Sequence, residues 1–227
     1  MKIVIIIAMD YEYQNMVSIF DGKSEGEIAG NHIILMKSGI GKVNAAVKTA
    51  EIIAREHPDC IINTGLAGGI DECLEVRDIV VGKEAVYHDV WCGEGNEYGQ
   101  VQGLPARFAG DRRLHDIAMS LGTDPAYTQR MHSGLICSGD KFITNAEALA
   151  VIKNDFPEGL AVDMESAATA QTCYLYHVPF LAVRIISDTP GRTDNHQQQW
   201  EDFLKDMSTR SFRWIRLFLA ALPNDLG

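Results

Sequence analysis

The sequence predicts a single α/β domain over residues 1–227, with helices packed around a mainly parallel sheet. Apolar runs rich in β-branched residues alternate along the chain with amphipathic helical patterns, as expected when strands and helices take turns in one domain. Hydrophobic residues make up 46% of the 227 residues and charged residues 22%, which suits one sizeable core. No Ser/Gly-rich linker, repeat or low-complexity segment divides the sequence.

The first half of the chain predicts four strands and two helices. Lys2–Met9 is a continuous apolar run, typical of a strand buried on both faces. Apolar residues from Tyr13 to Phe20 follow the i, i+3, i+4, i+7 spacing of an amphipathic helix. A second, longer helical pattern follows Gly41. The other strand candidates are Asn31–Ser38, Cys60–Gly65 and Asp78–His88.

The second half begins with a glycine-rich excursion over Asp89–Pro105, and long loops of this kind are often functional. Thr144 and Glu147 form a capping-box pattern, with Thr144 as N-cap of a helix that runs to about Phe156. The other predicted helices are Arg112–Leu121, Glu165–His177 and a last one with Trp200, Phe203, Leu204 and Met207 on one face. The strand candidates are Ser133–Asp140, Leu160–Met164 and Val178–Asp188, and Thr189–Asn195 is predicted to be a loop.

Charge and composition exclude several classes of protein. The formal net charge is −11 and no run of basic residues occurs, so we expect neither nucleic acid nor an anionic membrane surface as a partner. No stretch approaches the roughly 20 apolar residues of a membrane span, and the apolar start is interrupted at Asp10 with no signal-peptide cleavage pattern. The five cysteines are scattered without metal-ligand spacing. We therefore expect free thiols, a cytoplasmic location and no metal.

Acids and glycines recur where the predicted strands end. In open α/β sheets, ligands bind beyond the carboxyl ends of the strands, so these residues predict a site. The glycine-rich stretches 38–42 and 63–69 each follow a predicted strand, and neither matches a dinucleotide or P-loop fingerprint. Their glycines are expected either to turn tightly or to let the backbone approach a ligand. The residues at the strand ends are Asp10, Glu12, Gly39, Gly41, Gly65, Gly68, Gly69, Gly139, Asp140, Asp163, Glu165, Ser187 and Asp188.

The acids at these ends indicate carboxylate chemistry. Asp163 and Glu165 follow an apolar run with only Met164 between them, and a buried carboxylate is costly unless it is paired or hydrogen-bonded. No Ser or Cys stands in a GxSxG context, so acids would share the roles of proton donor and water activator. Simpler readings stay open for two of them: Glu12 suits a helix N-terminus, and Asp188 suits an N-cap.

Eight segments in order resemble the nucleoside phosphorylase/nucleosidase superfamily, and within it the 5′-methylthioadenosine/S-adenosylhomocysteine nucleosidases. They are MKIVIIIAMDYE, KSGIGKVNAA, INTGLAGG, VRDIVVGKEAVYHDV, EYGQVQGLP, SGDKFI, AVDMESAATA and VPFLAVRIISD. The resemblance implies a three-layer α/β/α sandwich with a twisted, mixed central sheet, usually in a homodimer. It also implies hydrolysis of the bond between adenine and a 5′-thio-substituted ribose, without cofactor or metal, as in methionine salvage.

The resemblance implies specific roles for four charged residues. Glu12 matches the family's base that positions and activates water, and Glu165 matches the carboxylate that binds the ribose hydroxyls. Asp188 matches the acid that protonates adenine at N7. Arg184 would lie near the attacking water, next to Glu12. The residue types suit this chemistry, because Arg184 sits inside an apolar strand and so needs an acidic partner.

The resemblance also implies a set of substrate contacts. Met164 would lie against the ribose and the thioether, Phe142 would stack on adenine, and the backbone of Ile143 would bond the edge of the base. Ile40 and Trp200 would line the pocket for the 5′ substituent. Leu66 and Ser187 complete the predicted substrate-binding residues.

The sequence departs from the family pattern at several places. Leu66 stands where a Ser or Thr is usual, which implies slower turnover or a changed substrate, and Asp163 replaces a Glu. The segment 89–99 lacks the usual Phe, and the segment before Asn31 is short, which predicts the loss of an edge strand. The alternatives are a purine nucleoside phosphorylase, a futalosine hydrolase and a nucleoside-binding protein without activity.

Overall fold

A computed structural model describes residues 1–123, 127, 129–191, 196–206 and 213–226. The strands in chain order are β1 (Lys2–Ile7), β2 (Glu25–Ile28), β3 (Asn31–Lys37), β4 (Cys60–Gly69), β5 (Ile79–Tyr87), β6 (Phe108–Ala109), β7 (Met131–Ser138), β8 (Gly159–Asp163) and β9 (Phe180–Asp188). The helices are α1 (Asp10–Ile19), α2 (Lys42–Glu56), α3 (Arg112–Leu121), α4 (Ala146–Asp155), α5 (Ser166–Tyr176), α6 (His196–Asp206) and α7 (Arg213–Ala221).

The described strands form one mixed sheet in the order β2-β3-β1-β4-β8-β7-β5-β6, with β9 paired to both β4 and β5. The pairs β1–β3, β1–β4, β4–β9, β5–β7 and β7–β8 are parallel. The pairs β2–β3, β4–β8, β5–β6 and β5–β9 are antiparallel. The pairings from β4 through β8, β7, β5 and β9 return to β4, so these five strands surround a common centre.

The described buried residues form three clusters, and the two largest lie on opposite faces of β1. Alternate residues of β1 divide between them, because successive side chains of a strand point to opposite faces. Ile5 packs with α1, α3 and α7, where Trp214 is a large fully buried side chain. Ile6 packs on the other face with the small residues of α5, such as Ala167. The predicted α/β/α sandwich with a mixed sheet is therefore confirmed.

Three local predictions are wrong, and one helix is absent from the predictions. The edge strand is present, because residues 25–28 pair antiparallel with β3 as β2. The stretch 63–69 does not turn after Gly65: β4 continues to Gly69 because β9 and β8 pair with its glycine-rich end. Asn145, not Thr144, caps α4, since its side chain accepts the N–H of Ala148. Helix α7 was not predicted at all.

Two predictions fall partly beyond the described ranges. Residues 192–195 of the predicted loop and Met207 of the last predicted helix lie outside the described residues. Within the described part of the chain, no helix combines the length and the apolar character needed to cross a bilayer.

Candidate active site

A cavity of about 480 Å³ opens at the carboxyl ends of the strands. Ten of the eleven predicted site residues line it; Arg184 does not. The lining residues are Ala8, Met9, Glu12, Ile40, Leu66, Ala67, Gly68, Lys141, Phe142, Ile143, Val162, Asp163, Met164, Glu165, Ser187, Asp188, Gln197 and Trp200. Three acids that are distant in sequence, Glu12, Glu165 and Asp188, therefore face one space.

Glu12 is held by two backbone donors. Its Oε1 accepts the N–H of Leu66 at 2.7 Å, and its Oε2 accepts the N–H of Met9 at 3.0 Å. A Cβ at position 65 would lie 2.8 Å from Oε1, so only glycine fits beside this carboxylate. Burial raises the pKa of Glu12, and the two hydrogen bonds and the positive charge of Arg184 oppose that rise. The carboxylate is thus a stronger base than an exposed glutamate.

Glu165 stands at the N-cap position of α5, directly beyond the end of β8. Its Oε1 accepts the N–H of Gly41 at 2.9 Å. Gly41 has φ +94°, a backbone conformation that favours glycine. Burial, with a further contribution from the charge of Asp163, raises the pKa of Glu165 to about 7, against the opposing effects of Arg184 and the Gly41 hydrogen bond. Its charge therefore changes near neutral pH.

Asp163 and Glu165 are neighbouring acids, and the negative charge of Asp163 is the one that hydrogen-bond donors fully compensate. Its Oδ2 accepts from Arg184 Nε at 2.8 Å and from the Ser166 hydroxyl. Its Oδ1 accepts from the Ser138 hydroxyl and from the N–H groups of Glu165 at 3.3 Å and Ser166 at 3.2 Å. Because these donors hold it, Asp163 fixes the turn that places Glu165. The two acids therefore have different environments although only Met164 separates them.

Arg184 lies under the cavity and is almost fully buried, with 1% of its surface exposed. Its guanidinium donates to Asp163, to Asn63 Oδ1 and to the carbonyl of Val183. The direct ion-pair partner of Arg184 is thus Asp163. Its positive charge still acts on both Glu12 and Glu165.

Asp188 ends β9 and is buried at the cavity wall. The hydroxyl of Ser187 lies 2.6 Å from Asp188 Oδ1 and 3.2 Å from the carbonyl oxygen of Ala67. A hydroxyl has one proton to donate, so Ser187 can donate to a charged Asp188 and turn to Ala67 when Asp188 carries a proton. This arrangement serves both protonation states of the acid.

Apolar side chains form much of the remaining wall. Phe142 and Trp200 meet edge to face with their ring centroids 5.8 Å apart. Phe142 and Ile40 are each about half exposed at the opening, with 52% and 50% of their surface accessible, whereas Ile143 is buried. Met164 and Leu66 complete the apolar lining beside Glu165 and Glu12. Such a wall suits an aromatic base and an apolar substituent.

Sequence reasoning missed several residues of the site. Asn63, Ser138 and Ser166 are buried polar groups that hold Asp163 and Arg184. The signal was present for Asn63 and Ser138, because each is a polar residue within an apolar strand. Lys141 and Gln197 also line the cavity, and no pattern in the sequence distinguished them.

The comparisons with known proteins agree with this fold and site. The family model described as "Phosphorylase superfamily" matches residues 2–220. A 5′-methylthioadenosine/S-adenosylhomocysteine nucleosidase from Haemophilus influenzae (strain 86-028NP) is 40% identical over 215 residues, which cover 90% of this chain and 92% of the relative. The chain has the fold and the site-bearing strand ends of a nucleoside phosphorylase or nucleosidase.

Two solved structures narrow the class further. The 5′-methylthioadenosine/S-adenosylhomocysteine nucleosidase from Neisseria meningitidis, in complex with methylthio-immucillin-A, superposes with a TM-score of 0.88 at 37% identity. The match covers 97% of this chain and 99% of that chain. A putative 5′-methylthioadenosine/S-adenosylhomocysteine nucleosidase from Borrelia burgdorferi B31, bound to adenine, superposes with a TM-score of 0.90 at 35% identity. The match covers 97% of this chain and 100% of that chain. The chain belongs to the 5′-methylthioadenosine/S-adenosylhomocysteine nucleosidase family of the phosphorylase superfamily.

Proposed function

We propose that this protein hydrolyses the N-glycosidic bond of 5′-thio-substituted adenosines, such as 5′-methylthioadenosine and S-adenosylhomocysteine, and releases adenine. The observation that carries the proposal is the convergence of Glu12, Glu165 and Asp188 on one cavity. Breaking this bond requires a proton for the base, stabilisation of a cation-like ribosyl group and an activated water. One acid is available for each requirement.

Asp188 supplies the proton in this mechanism. Adenine leaves poorly as an anion, so protonation at N7 lowers the barrier. Ser187 keeps the Asp188 carboxyl in one orientation through the 2.6 Å contact and can accept either protonation state. Phe142 and Ile143 line the part of the cavity that would hold the base.

Glu165 binds the ribose in this mechanism. A carboxylate accepts hydrogen bonds from hydroxyls, and its negative charge stabilises the positive charge that develops on the ribosyl ring as the bond breaks. The Gly41 N–H fixes one of its oxygens at 2.9 Å, so the side chain is pre-positioned. Met164 lies next to it in the wall and would contact the ribose and the thioether.

Glu12 takes the proton from the attacking water. Its two backbone hydrogen bonds orient the carboxylate, and its raised pKa makes it a better base near neutral pH. Arg184 acts through Asp163 and through its charge on Glu12, and is therefore a positioning residue. Leu66 offers its backbone N–H to Glu12 and an apolar side chain to the cavity.

Water is favoured over phosphate as the nucleophile. The described lining contains four acids, Glu12, Asp163, Glu165 and Asp188, against one basic side chain, Lys141. A phosphate dianion would be repelled by this set. We therefore rank hydrolysis above phosphorolysis, and the apolar Ile40 and Trp200 favour a thioether substituent over the carboxyaryl group of futalosine.

Adenine release from a panel of nucleosides tests the proposal. We expect rapid release from 5′-methylthioadenosine and S-adenosylhomocysteine, little release from adenosine, and none of the corresponding base from futalosine. Reaction in phosphate buffer should give the free thioribose rather than its 1-phosphate. Formation of the 1-phosphate would identify a phosphorylase, and preference for futalosine would identify the other hydrolase. Absence of any turnover, with tight binding retained, would indicate a binding protein.

A homodimer is part of the proposal. Val43 and Val47 are four residues apart on the outer face of α2 and are 72% and 63% exposed. Trp91 and Tyr98 are also exposed and stack with centroids 6.3 Å apart. An exposed apolar surface of this kind supports contact with a second copy. Sedimentation of the wild type and of Val47→Asp tests it, and a monomeric wild type would contradict it.

The cellular setting is also proposed. All five cysteines are free thiols, which suits a reducing compartment such as the cytoplasm. Removal of 5′-methylthioadenosine there would place the protein in methionine salvage.

A further inference from the structure

A charged cluster lies directly behind Gly41, whose N–H binds Glu165. Lys42 Nζ is 2.7 Å from both carboxylate oxygens of Asp89. Asp89 Oδ2 also accepts the N–H of Asp140 at 2.9 Å, and Asp140 Oδ1 accepts the N–H of Lys42 at 2.8 Å. Lys42, Asp89 and Asp140, which we name the Lys42 clamp, thereby join the start of α2 to the segments that follow β5 and β7.

The clamp is built from partly buried charges. The Asp89 side chain is 13% exposed and that of Lys42 is 22% exposed. Burial alone would raise the pKa of Asp89, but the hydrogen bonds from Lys42 and from the Asp140 N–H hold that pKa below its usual value. Lys42 Nζ also lies 5.5 Å from the centroid of the Tyr87 ring. Asp89 is therefore ionised at neutral pH, and the ammonium group has one fixed place.

The clamp reaches the cavity through Gly41. A Cβ on Gly41 would lie 3.0 Å from Asp140 Oδ1, so the Asp140 carboxylate packs directly against this residue. Ile40 precedes Gly41 and Phe142 follows Asp140 by two residues, and both line the cavity. The clamp thus ties the wall that contacts Glu165 to the wall that carries Phe142. None of its three members is among the described lining residues.

We propose that the Lys42 clamp positions Glu165 by fixing the Gly41 N–H, and so sets how strongly the enzyme distinguishes ribose from deoxyribose. This inference rests on the proposed function, because Glu165 is the group assigned to the ribose hydroxyls. Lys42, Asp89 and Asp140 are positioning residues. They act on one substrate feature, the pair of hydroxyls, and leave proton transfer to adenine untouched.

Asp140→Ala tests the proposal with two substrates. Removing the Asp140 carboxylate frees the Lys42 N–H and loosens Gly41, so kcat/KM for 5′-methylthioadenosine should fall about tenfold, the typical effect of a weakened hydrogen bond to a charged group. The 2′,3′-dideoxy counterpart offers Glu165 no hydroxyl, so its kcat/KM should change less than about twofold. Equal losses on both substrates would overturn the proposal, as would no loss on either.

Three further variants sharpen the result. Asp140→Asn keeps an acceptor for the Lys42 N–H and should retain most of the discrimination. Glu51→Ala is the matched control. Glu51 is about as exposed as Asp140, and like Asp140 it pairs with a lysine of α2. Its removal should leave kcat/KM unchanged for both substrates. In a Glu165→Ala background, Asp140→Ala should have no further effect on the ribonucleoside. A persistent tenfold effect there would show that the clamp does not act through Glu165.

A pH profile gives an independent readout. Asp163, Arg184 and Glu12 are the other charged groups that act on Glu165, and Asp140→Ala leaves them in place. Loss of the Gly41 hydrogen bond raises the pKa of Glu165 further, so the acidic limb of the kcat/KM profile should move to higher pH. An unmoved limb would overturn the proposal. A wild-type protein that releases adenine from neither nucleoside would instead refute the proposed function.

Discussion

Asp78 and Glu165 are similarly buried carboxylates in different surroundings, with 5% and 7% of their surface exposed. Asp78 directly precedes β5, and it is not among the described residues that line the cavity. Its carboxylate is held by Arg130 at 2.7 Å, by His132 Nε2 at 3.0 Å and by the N–H of Glu75 at 3.0 Å. Glu165 stands at the cavity end, with the N–H of Gly41 on one oxygen and the like charge of Asp163 nearby.

The different partners of the two acids indicate different roles. A buried carboxylate with direct cationic partners stabilises the fold and loses the capacity to respond to a ligand. A buried carboxylate with less compensation keeps a raised proton affinity, which is characteristic of functional sites. The guanidinium of Arg184 is bound to Asp163 and affects Glu165 through its charge.

Asp188→Asn should give the largest effect, and this effect should be a loss of turnover with binding retained. Because the amide cannot deliver the proton to adenine, we expect kcat to fall about 10²- to 10⁴-fold, while the protein still binds 5′-methylthioadenosine. Adenine release followed by absorbance measures the rate, and calorimetry measures binding. Unchanged turnover would remove Asp188 from the mechanism.

Asp163→Ala tests whether a cavity-lining acid that pairs with an arginine serves to stabilise the fold. The substitution leaves Arg184 buried without its carboxylate, so the free energy of unfolding should fall by about 3–5 kcal/mol. Urea denaturation measures it. Adding Arg184→Met should restore part of the loss, and a double variant as unstable as the sum of both changes would contradict a direct pair.

Glu165→Gln should stabilise the protein, and the gain should depend on pH. The pKa of Glu165 rises from an ordinary 4.5 to about 7 on folding. The folded state therefore binds more protons between these values, and the wild type loses stability as pH rises through them. We expect no gain at pH 4 and a gain of about 1–3 kcal/mol at pH 8. A gain that is the same at both pH values would exclude this origin.

Asp78→Asn should have the smallest effect, and it should lower stability without changing turnover. It removes an ion pair with the half-exposed Arg130, so the free energy of unfolding should fall by about 1–2 kcal/mol. Adenine release should be unchanged, because Asp78 does not line the cavity and its carboxylate is held by Arg130 and His132. A fall in kcat/KM without loss of stability would contradict the comparison between the two acids.

The sequence predicted the fold and the cavity better than the contacts beneath the cavity. Strand ends are visible in a sequence because apolar runs stop at acids and glycines, and six of the residues at those ends line the cavity. The apolar contacts, such as Phe142 and Trp200, were predicted only from the resemblance to a known family. The partner of Arg184 was not visible, because Asp163 and Asn63 come from other strands and only the closed pairing of β4, β8 and β9 brings them together.

The local errors have physical causes. Strand β2 is only four residues long and lies at the sheet edge, so its sequence carries a weak pattern. The glycines after Gly65 suggested a turn, but pairing on both sides extends β4, and Gly69 is tightly packed because a Cβ there would lie 3.0 Å from Ile186. Helix α7 has a strong amphipathic pattern with Trp214 inside, and the prediction overlooked it.

The backbone donors that hold Glu12 and Glu165 have a consequence for inhibitor resistance. The N–H groups of Met9, Leu66 and Gly41 survive any exchange of side chain at those three positions except to proline, so a drug that contacts Glu12 and Glu165 would meet acids whose backbone donors are hard to delete directly. A Cβ would lie 2.8 Å from Glu12 at position 65 and 3.0 Å from Asp140 at position 41, so both glycines are also constrained. Substitutions at the exposed rim, at Ile40 or Phe142, would alter the pocket without touching these donors.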